Sequence, residues 1–322
     1  MEPAREASND TVAAFERASE ALGRARAALR GVVFGQDKAV DLGLAALVAG
    51  GWAMLAGGPG SAKTWLAEGL ARVAGLSFGR LPFARDLDLA AATRPVLSVD
   101  GRRRSGDPPL FSQLLLADEL DRASPAVRAS LLEAAHDGTL VVDGRSVALA
   151  KPFHLFATGG RDGLAGFDEA EIDRFLLQID LGAPDRDGER RMLIETAQRR
   201  APTSAAMDAP SLLAAQRIAV ELPVGERVVE AMLDLVRRAR PDDPSAPAIV
   251  RSDVARGPGP RAGQALMRLA RATALIDGRP SPSTADVRAV APAVLSPRLQ
   301  MVERHGKSAD REPVLEALVA GI

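Results

Sequence analysis

One eight-residue stretch constrains this chain more than any other feature. Residues 57–64 read Gly-Gly-Pro-Gly-Ser-Ala-Lys-Thr. The apolar run Trp52–Ala56 precedes them and a helix-like stretch from Lys63 to Ala74 follows. The order is therefore strand, small-residue loop, helix. A loop of small residues lets backbone N–H groups come close to dense negative charge, and a helix N-terminus adds its own N–H groups. The phosphates of ATP carry such charge. Lys63 would reach the β- and γ-phosphates, and Thr64 would hold Mg2+ through its hydroxyl. Gly57, Gly58, Pro59, Gly60, Ser61, Ala62, Lys63, Thr64 and Trp65 are the candidate nucleotide contacts. The strict pattern has Gly before the Lys. Here Ala62 stands, and Ala does not adopt positive φ freely. The competing structural reading is a Gly-rich turn that caps a core helix.

A loop of this kind needs a carboxylate near the metal and a base to orient water. Residues 114–119, Leu-Leu-Leu-Ala-Asp-Glu, end an apolar run with two acids. Strand geometry sends successive side chains in different directions. Asp118 is the candidate metal ligand and Glu119 the candidate activator of water. Alone, the pair also fits a strand leaving the core through charged residues. Its place 55 positions after Lys63 (118 − 63) favours the site.

The rest of the chain supplies a frame for these parts. Helical spacing covers 8–30, stopped by Gly31, and 36–49. Phe78–Phe83, Leu114–Ala117, Phe153–Thr158 and Phe175–Leu181 read as strands, and 125–137 as a helix. Hairpins are signalled at 95–106, turning at Asp100-Gly101, and at 139–150, turning at Asp143-Gly144. Beyond about residue 184 the pattern becomes helical, at 185–199, 211–221, 224–239, 260–277, 284–294 and 311–320. Residues 241–260 carry five prolines and read as a loop. The expected fold class is α/β: a parallel sheet flanked by helices, with a smaller C-terminal all-α domain. The expected division is 1–200 and 201–322, which 322 residues accommodate.

Composition removes several function classes. There is no cysteine, so disulfides, thiolate zinc sites and cysteine nucleophiles are excluded. His136, His154 and His305 show no ligand spacing. Lys+Arg number 41 against 42 Asp+Glu, which argues against bulk binding to nucleic acid or membrane surfaces. Tyr is absent and aromatics make up 3%, too few for base-stacking platforms. The first ten residues are polar, without the apolar centre of a signal peptide, and the apolar stretch Leu42–Ala56 is too short and broken to span a membrane. The expected location is the cytoplasm.

The run LLLADELDRASPAVRASLLEAAHDGTLVVDG, then FATGG and EIDRFLLQIDLGAP, resembles the MoxR branch of AAA+ ATPases over roughly residues 30–300. That resemblance implies a P-loop NTPase fold with a helical lid. It implies a magnesium-dependent ATPase assembled as a homo-oligomeric ring, often a hexamer. Such rings remodel client proteins, commonly with a partner bearing a von Willebrand factor A domain. The magnesium chelatase ATPase subunit is a close relative. By the same resemblance Arg174 matches the arginine finger that reaches a neighbouring subunit's ATP. Its plainer alternative is an ion pair with Asp173. Arg261, in Gly-Pro-Gly-Pro-Arg, matches the second sensor, expected to contact phosphates in its own subunit. Arg122 is similar to a further interface arginine. The hairpins resemble pore-facing inserts, with Arg102, Arg103 and Arg104 at the tip of the first.

Two positions depart from the family pattern. A polar residue, often Asn, usually follows the Ala-Thr pair of the first-sensor strand; here Ala157-Thr158 is followed by Gly159-Gly160. Thr158 is the candidate substitute. Asp121 stands where the family usually has Asn. Three functions therefore remain open: an ATPase that remodels a partner, a nucleotide-gated assembly scaffold with slow hydrolysis, and a nucleic-acid motor, which charge and aromatic content disfavour.

Overall fold

The structure, a computed structural model, describes residues 2–83, 108–142, 145–160, 163–164, 166–195, 204–304 and 307–322. The apolar runs become strands β1 (Trp52–Ala56), β2 (Phe78–Pro82), β3 (Leu114–Asp118), β4 (Thr139–Val142), β5 (Arg145–Ala148), β6 (His154–Gly159) and β7 (Phe175–Asp180). Five of them pair in parallel in the order β2-β3-β6-β1-β7, while β4 and β5 form a separate antiparallel hairpin. The turn of that hairpin, Asp143-Gly144, and the whole 95–106 segment with Arg102, Arg103 and Arg104 lie outside the described residues.

Both faces of the sheet are covered, so its inner strands β1, β3 and β6 are buried on both sides and largely apolar. Leu114 and Leu116 join one hydrophobic cluster, with α1 (Glu2–Arg30), α2 (Asp37–Val48) and α3 (Lys63–Val73). Leu115 and Ala117 join the other, with α4 (Pro125–Asp137); α5 (Glu169–Arg174) caps that side through Ile172. Period-two alternation of one four-residue run thus stitches two layers of helices to one sheet.

The chain continues through α6 (Arg186–Glu195), α7 (Ala209–Glu221), α8 (Glu226–Arg238), α9 (Ala248–Asp253), α10 (Pro260–Ile276), α11 (Thr284–Leu295) and α12 (Glu312–Val319). Leu212, Leu269 and Val290 from these helices belong to the same cluster as Leu22, Leu55 and Leu70. The helical region and one sheet face share a continuous core.

Three details differ from the sequence expectation. Helix α7 starts at Ala209, earlier than the alternating pattern indicates, because Asp208 caps it by accepting from the Ser211 N–H at 2.9 Å, with Pro210 in the first turn. The proline-rich 241–260 segment is not all loop. Its proline-free stretch holds α9, with Val250 fully buried, and β8 (Val254–Arg256). The helical region is also not purely helical: β8 pairs with β9 (Gln300–Met301), and β10 (Glu303–Arg304) with β11 (Lys307–Ser308). Among the described residues no helix is long and apolar enough to cross a membrane.

His154, at the start of β6, is 2% exposed, and its Nδ1 has no hydrogen-bond partner among the described residues. Burial pushes its pKa down to about 4. The unfolded chain takes up this proton near pH 6.5, before the folded protein does. Stability from neutral His154 is therefore complete above pH 6.5 and is lost as pH falls towards 4, by about 3 kcal/mol. Urea unfolding of wild type and His154→Leu at pH 7 and pH 4.5 should show a markedly flatter pH response in the variant; equal slopes would refute the assignment.

Candidate nucleotide site

The loop begins at the upper end of β1, wedged between β6 and β7. The Leu181 N–H donates to the Ala56 carbonyl at 2.7 Å, and the Gly57 N–H to the Gly160 carbonyl at 3.1 Å. A side chain at Gly57 would meet the Leu181 carbonyl oxygen at 2.5 Å and Ser61 Oγ at 2.6 Å, so only glycine fits. Ala62 has φ 67° and ψ 18°, the left-handed conformation that glycine supplies in the strict pattern. An alanine there carries about 1 kcal/mol of backbone strain, and strain of this kind gathers at functional sites. Lys63 Nζ donates to the carbonyls of Gly57 at 2.7 Å and Gly58 at 2.9 Å, and more weakly to Ser61 Oγ at 3.4 Å. The ammonium therefore lies in the hollow of the loop. Thr64 follows as the second residue of α3. Trp65 donates its indole N–H to the Val32 carbonyl at 2.9 Å, tying α3 to the segment before α2.

The acids end the strand two places away in the sheet. Asp118 is buried, and its Oδ1 accepts the Thr158 hydroxyl proton at 2.6 Å. Its Oδ2 accepts from Arg80, through Nε at 2.8 Å and also through Nη2. Thr158 Oγ1 in turn accepts the Glu119 N–H at 2.8 Å. Glu119 is held at φ 58° and ψ 42°, so its side chain turns out of the strand and meets Arg122 Nη1 at 2.9 Å. Burial pulls the Lys63 pKa below its ordinary value, and the carboxylates of Asp118, Asp121 and Glu119 act against that shift. The structure thus brings Lys63, Asp118, Glu119 and Thr158 into one neighbourhood.

Among the described residues no group of three or more His, Cys, Asp or Glu could hold a metal ion by itself. The donors here, a Thr64 hydroxyl and the Asp118 carboxylate, are hard oxygens. That set fits Mg2+, which keeps several waters and takes phosphate oxygens rather than a full protein cage.

Several expectations change. The Thr158 hydroxyl is completely buried, gives its proton to Asp118 and accepts from Glu119. It is committed to holding these two acids, so it does not replace the missing polar side chain facing water. The two departures from the family pattern instead touch each other: the Gly160 N–H donates to Asp121 Oδ2 at 3.0 Å. A Cβ at residue 160 would stand 3.6 Å from that oxygen, so the Asp121 carboxylate lies where a longer side chain at 160 would extend.

Arg174 and Arg261 lie away from the loop. Asp173 pairs with Arg298 at 3.2 Å rather than with Arg174, which is exposed and has no partner among the described residues. Arg298 also donates to the carbonyls of Phe175 at 2.6 Å and Leu176 at 3.4 Å, at the start of β7. Arg261 sits near enough to bias the Arg298 charge, and Gly259 beside it approaches Asp173. The loop follows the opposite ends of the strands, since Ala56 is in register with Asp180 and Trp52 with Phe175. At about 3.3 Å per residue, the separation is roughly 16 Å. In this structure Arg261 thus stands with Arg298 near the start of β7, and its expected contact with phosphates remains a proposal. Sequence reasoning missed Arg80 and gave Asp121 no role; only strand register and long-range pairing bring them in.

A parallel five-stranded sheet, a phosphate-type loop after β1 and an acid pair ending β3 define the AAA+ class of P-loop fold. The family profile described as "ATPase family associated with various cellular activities (AAA)" matches residues 52–177, and the AAA lid domain profile matches residues 246–316. Chaperone MoxR1 of Mycobacterium tuberculosis is 31% identical over 302 residues, covering 92% of this chain and 80% of that protein. Protein MoxR of Paracoccus denitrificans is 30% identical, covering 92% of each. The crystal structure of a protein assigned as an ATPase from Cytophaga hutchinsonii superposes with a TM-score of 0.84 at 22% identity, covering 100% of this chain and 99% of that one, which bears on the fold alone. The chain belongs to the MoxR family of AAA+ ATPases.

Proposed function

We propose that the chain is a magnesium-dependent ATPase that works in a homo-oligomeric ring, on the family pattern a hexamer, and couples hydrolysis to remodelling of a client protein. The observation that carries this reading is the division of the site: loop and acids at the carboxyl ends of the strands, with Arg174, exposed and without a partner among the described residues, at the amino end of β7. One copy then holds the nucleotide while a second offers its arginine.

The small-residue loop cradles the triphosphate with the backbone N–H groups of Gly58, Gly60 and Ala62, and Lys63 offsets charge on its β- and γ-phosphates. Thr64 and Asp118 hold Mg2+, which neutralises phosphate oxygens. Glu119 accepts the proton of the attacking water. Thr158 positions both acids. The neighbour's Arg174 neutralises charge on the transferring phosphoryl group, so hydrolysis depends on assembly. The name of the mycobacterial relative supports a chaperone-like role. The family resemblance adds a von Willebrand factor A partner. Gly160, whose position lacks a polar side chain, favours the second reading: a nucleotide-gated scaffold that turns over slowly.

Mixing two inactive variants tests the shared site. Arg174→Ala and Glu119→Gln should each lose at least about 100-fold in rate. Mixed, they should regain activity, because hybrid interfaces unite an intact Glu119 with an intact Arg174. A mixture as inactive as its components would refute catalysis in trans.

A further inference from the structure

Arg80 has no part in the site that the sequence outlines. It stands on β2, the edge strand beside β3. Parallel register pairs Arg80 with Leu116 and Pro82 with Asp118. Arg80, Leu116 and Asp118 therefore share one face of the sheet. Both Nε and Nη2 of Arg80 donate to Asp118 Oδ2, while Thr158 holds Oδ1. A carboxylate oxygen has about two acceptor positions, and the guanidinium takes both on Oδ2.

The two partners differ in freedom. The Asp118 side chain is 10% exposed and pinned by Thr158; the Arg80 side chain is 54% exposed. Arg80 can swing into water, whereas Asp118 cannot follow it. A buried carboxylate with no cation beside it is strongly unfavourable. Beyond the nearby Lys63 ammonium, Asp118 thus has two cations that could occupy Oδ2 in turn, a guanidinium from its own sheet and the metal that arrives with nucleotide.

Resting on the ATPase reading above, we propose that Arg80 is a built-in competitor for the magnesium carboxylate. The Arg80 guanidinium would have to leave Asp118 Oδ2 before that oxygen could serve Mg2+. The arginine holds the Asp118 carboxylate in place between turnovers and raises the Mg2+ concentration that nucleotide binding requires.

The test is Mg2+ titration of the binding of a non-hydrolysable ATP analogue to wild type, Arg80→Gln and Arg80→Lys, read by calorimetry rather than turnover. Arg80→Gln should reach half-maximal binding at roughly fivefold lower Mg2+, the size expected for loss of one partly exposed ion pair. Arg80→Lys, which keeps the charge but not the two-pronged contact, should fall between. An unchanged or higher Mg2+ requirement in both variants overturns the proposal and leaves the ATPase reading standing. Absence of binding in the wild type overturns both.

Discussion

Glu119→Gln is expected to slow phosphate release at least about 100-fold while leaving Mg-ATP affinity within about twofold. The carboxylate is placed by two constraints: a left-handed backbone at φ 58°, and the Glu119 N–H held by Thr158. Both survive an isosteric amide, so the variant removes the proton acceptor and, with it, only the exposed ion pair to Arg122. Steady-state phosphate release beside equilibrium nucleotide binding separates the two effects. If wild type and variant released phosphate equally slowly, the scaffold reading would replace the hydrolytic one.

The other large effect is structural. Arg298→Ala should destabilise the fold by about 3–5 kcal/mol, the range for breaking a buried ion pair from one side. The Arg298 side chain is only 3% exposed. It binds Asp173, the Val294 carbonyl at 2.7 Å and the carbonyls of Phe175 and Leu176. One guanidinium therefore bolts the C-terminal helices to the root of β7, directly beside Arg174. Alanine would leave an aspartate and three carbonyls without this donor. Urea unfolding gives the difference, and a loss below about 1 kcal/mol would show that the contact is dispensable.

What the sequence reveals divides along the range of the interactions. The Gly57–Thr64 loop and the acid pair are legible because small-residue turns, apolar strands and helix starts are local patterns. The parallel sheet is legible because Leu114–Ala117 is apolar throughout and Phe153–Thr158 is interrupted only by His154 before its terminal Thr158. Arg80 is not legible, since its partner lies 38 residues away and depends on the register of an edge strand. Nor is the contact of Asp121 with Gly160, 39 residues apart, although each residue stands out as a departure. The neighbourhood of Arg261 with Arg298 is not legible either, because it follows from how α10 docks near the start of β7. The ladders β8–β9 and β10–β11 are too short to impose any alternation on the sequence. The early start of α7 had a local signal, Asp208 followed by Pro210, masked by the proline- and alanine-rich stretch around it.

Calorimetric titration of purified protein with ATP in the presence of Mg2+ probes the phosphate loop most directly. Wild type should bind in the micromolar to submillimolar range typical of enzyme substrates, and Lys63→Ala should bind at least about 100-fold more weakly, as removal of a charge-assisted contact to two phosphates requires. No binding by the wild type, or the same affinity in both proteins, would contradict the assignment of residues 57–64 as a nucleotide site.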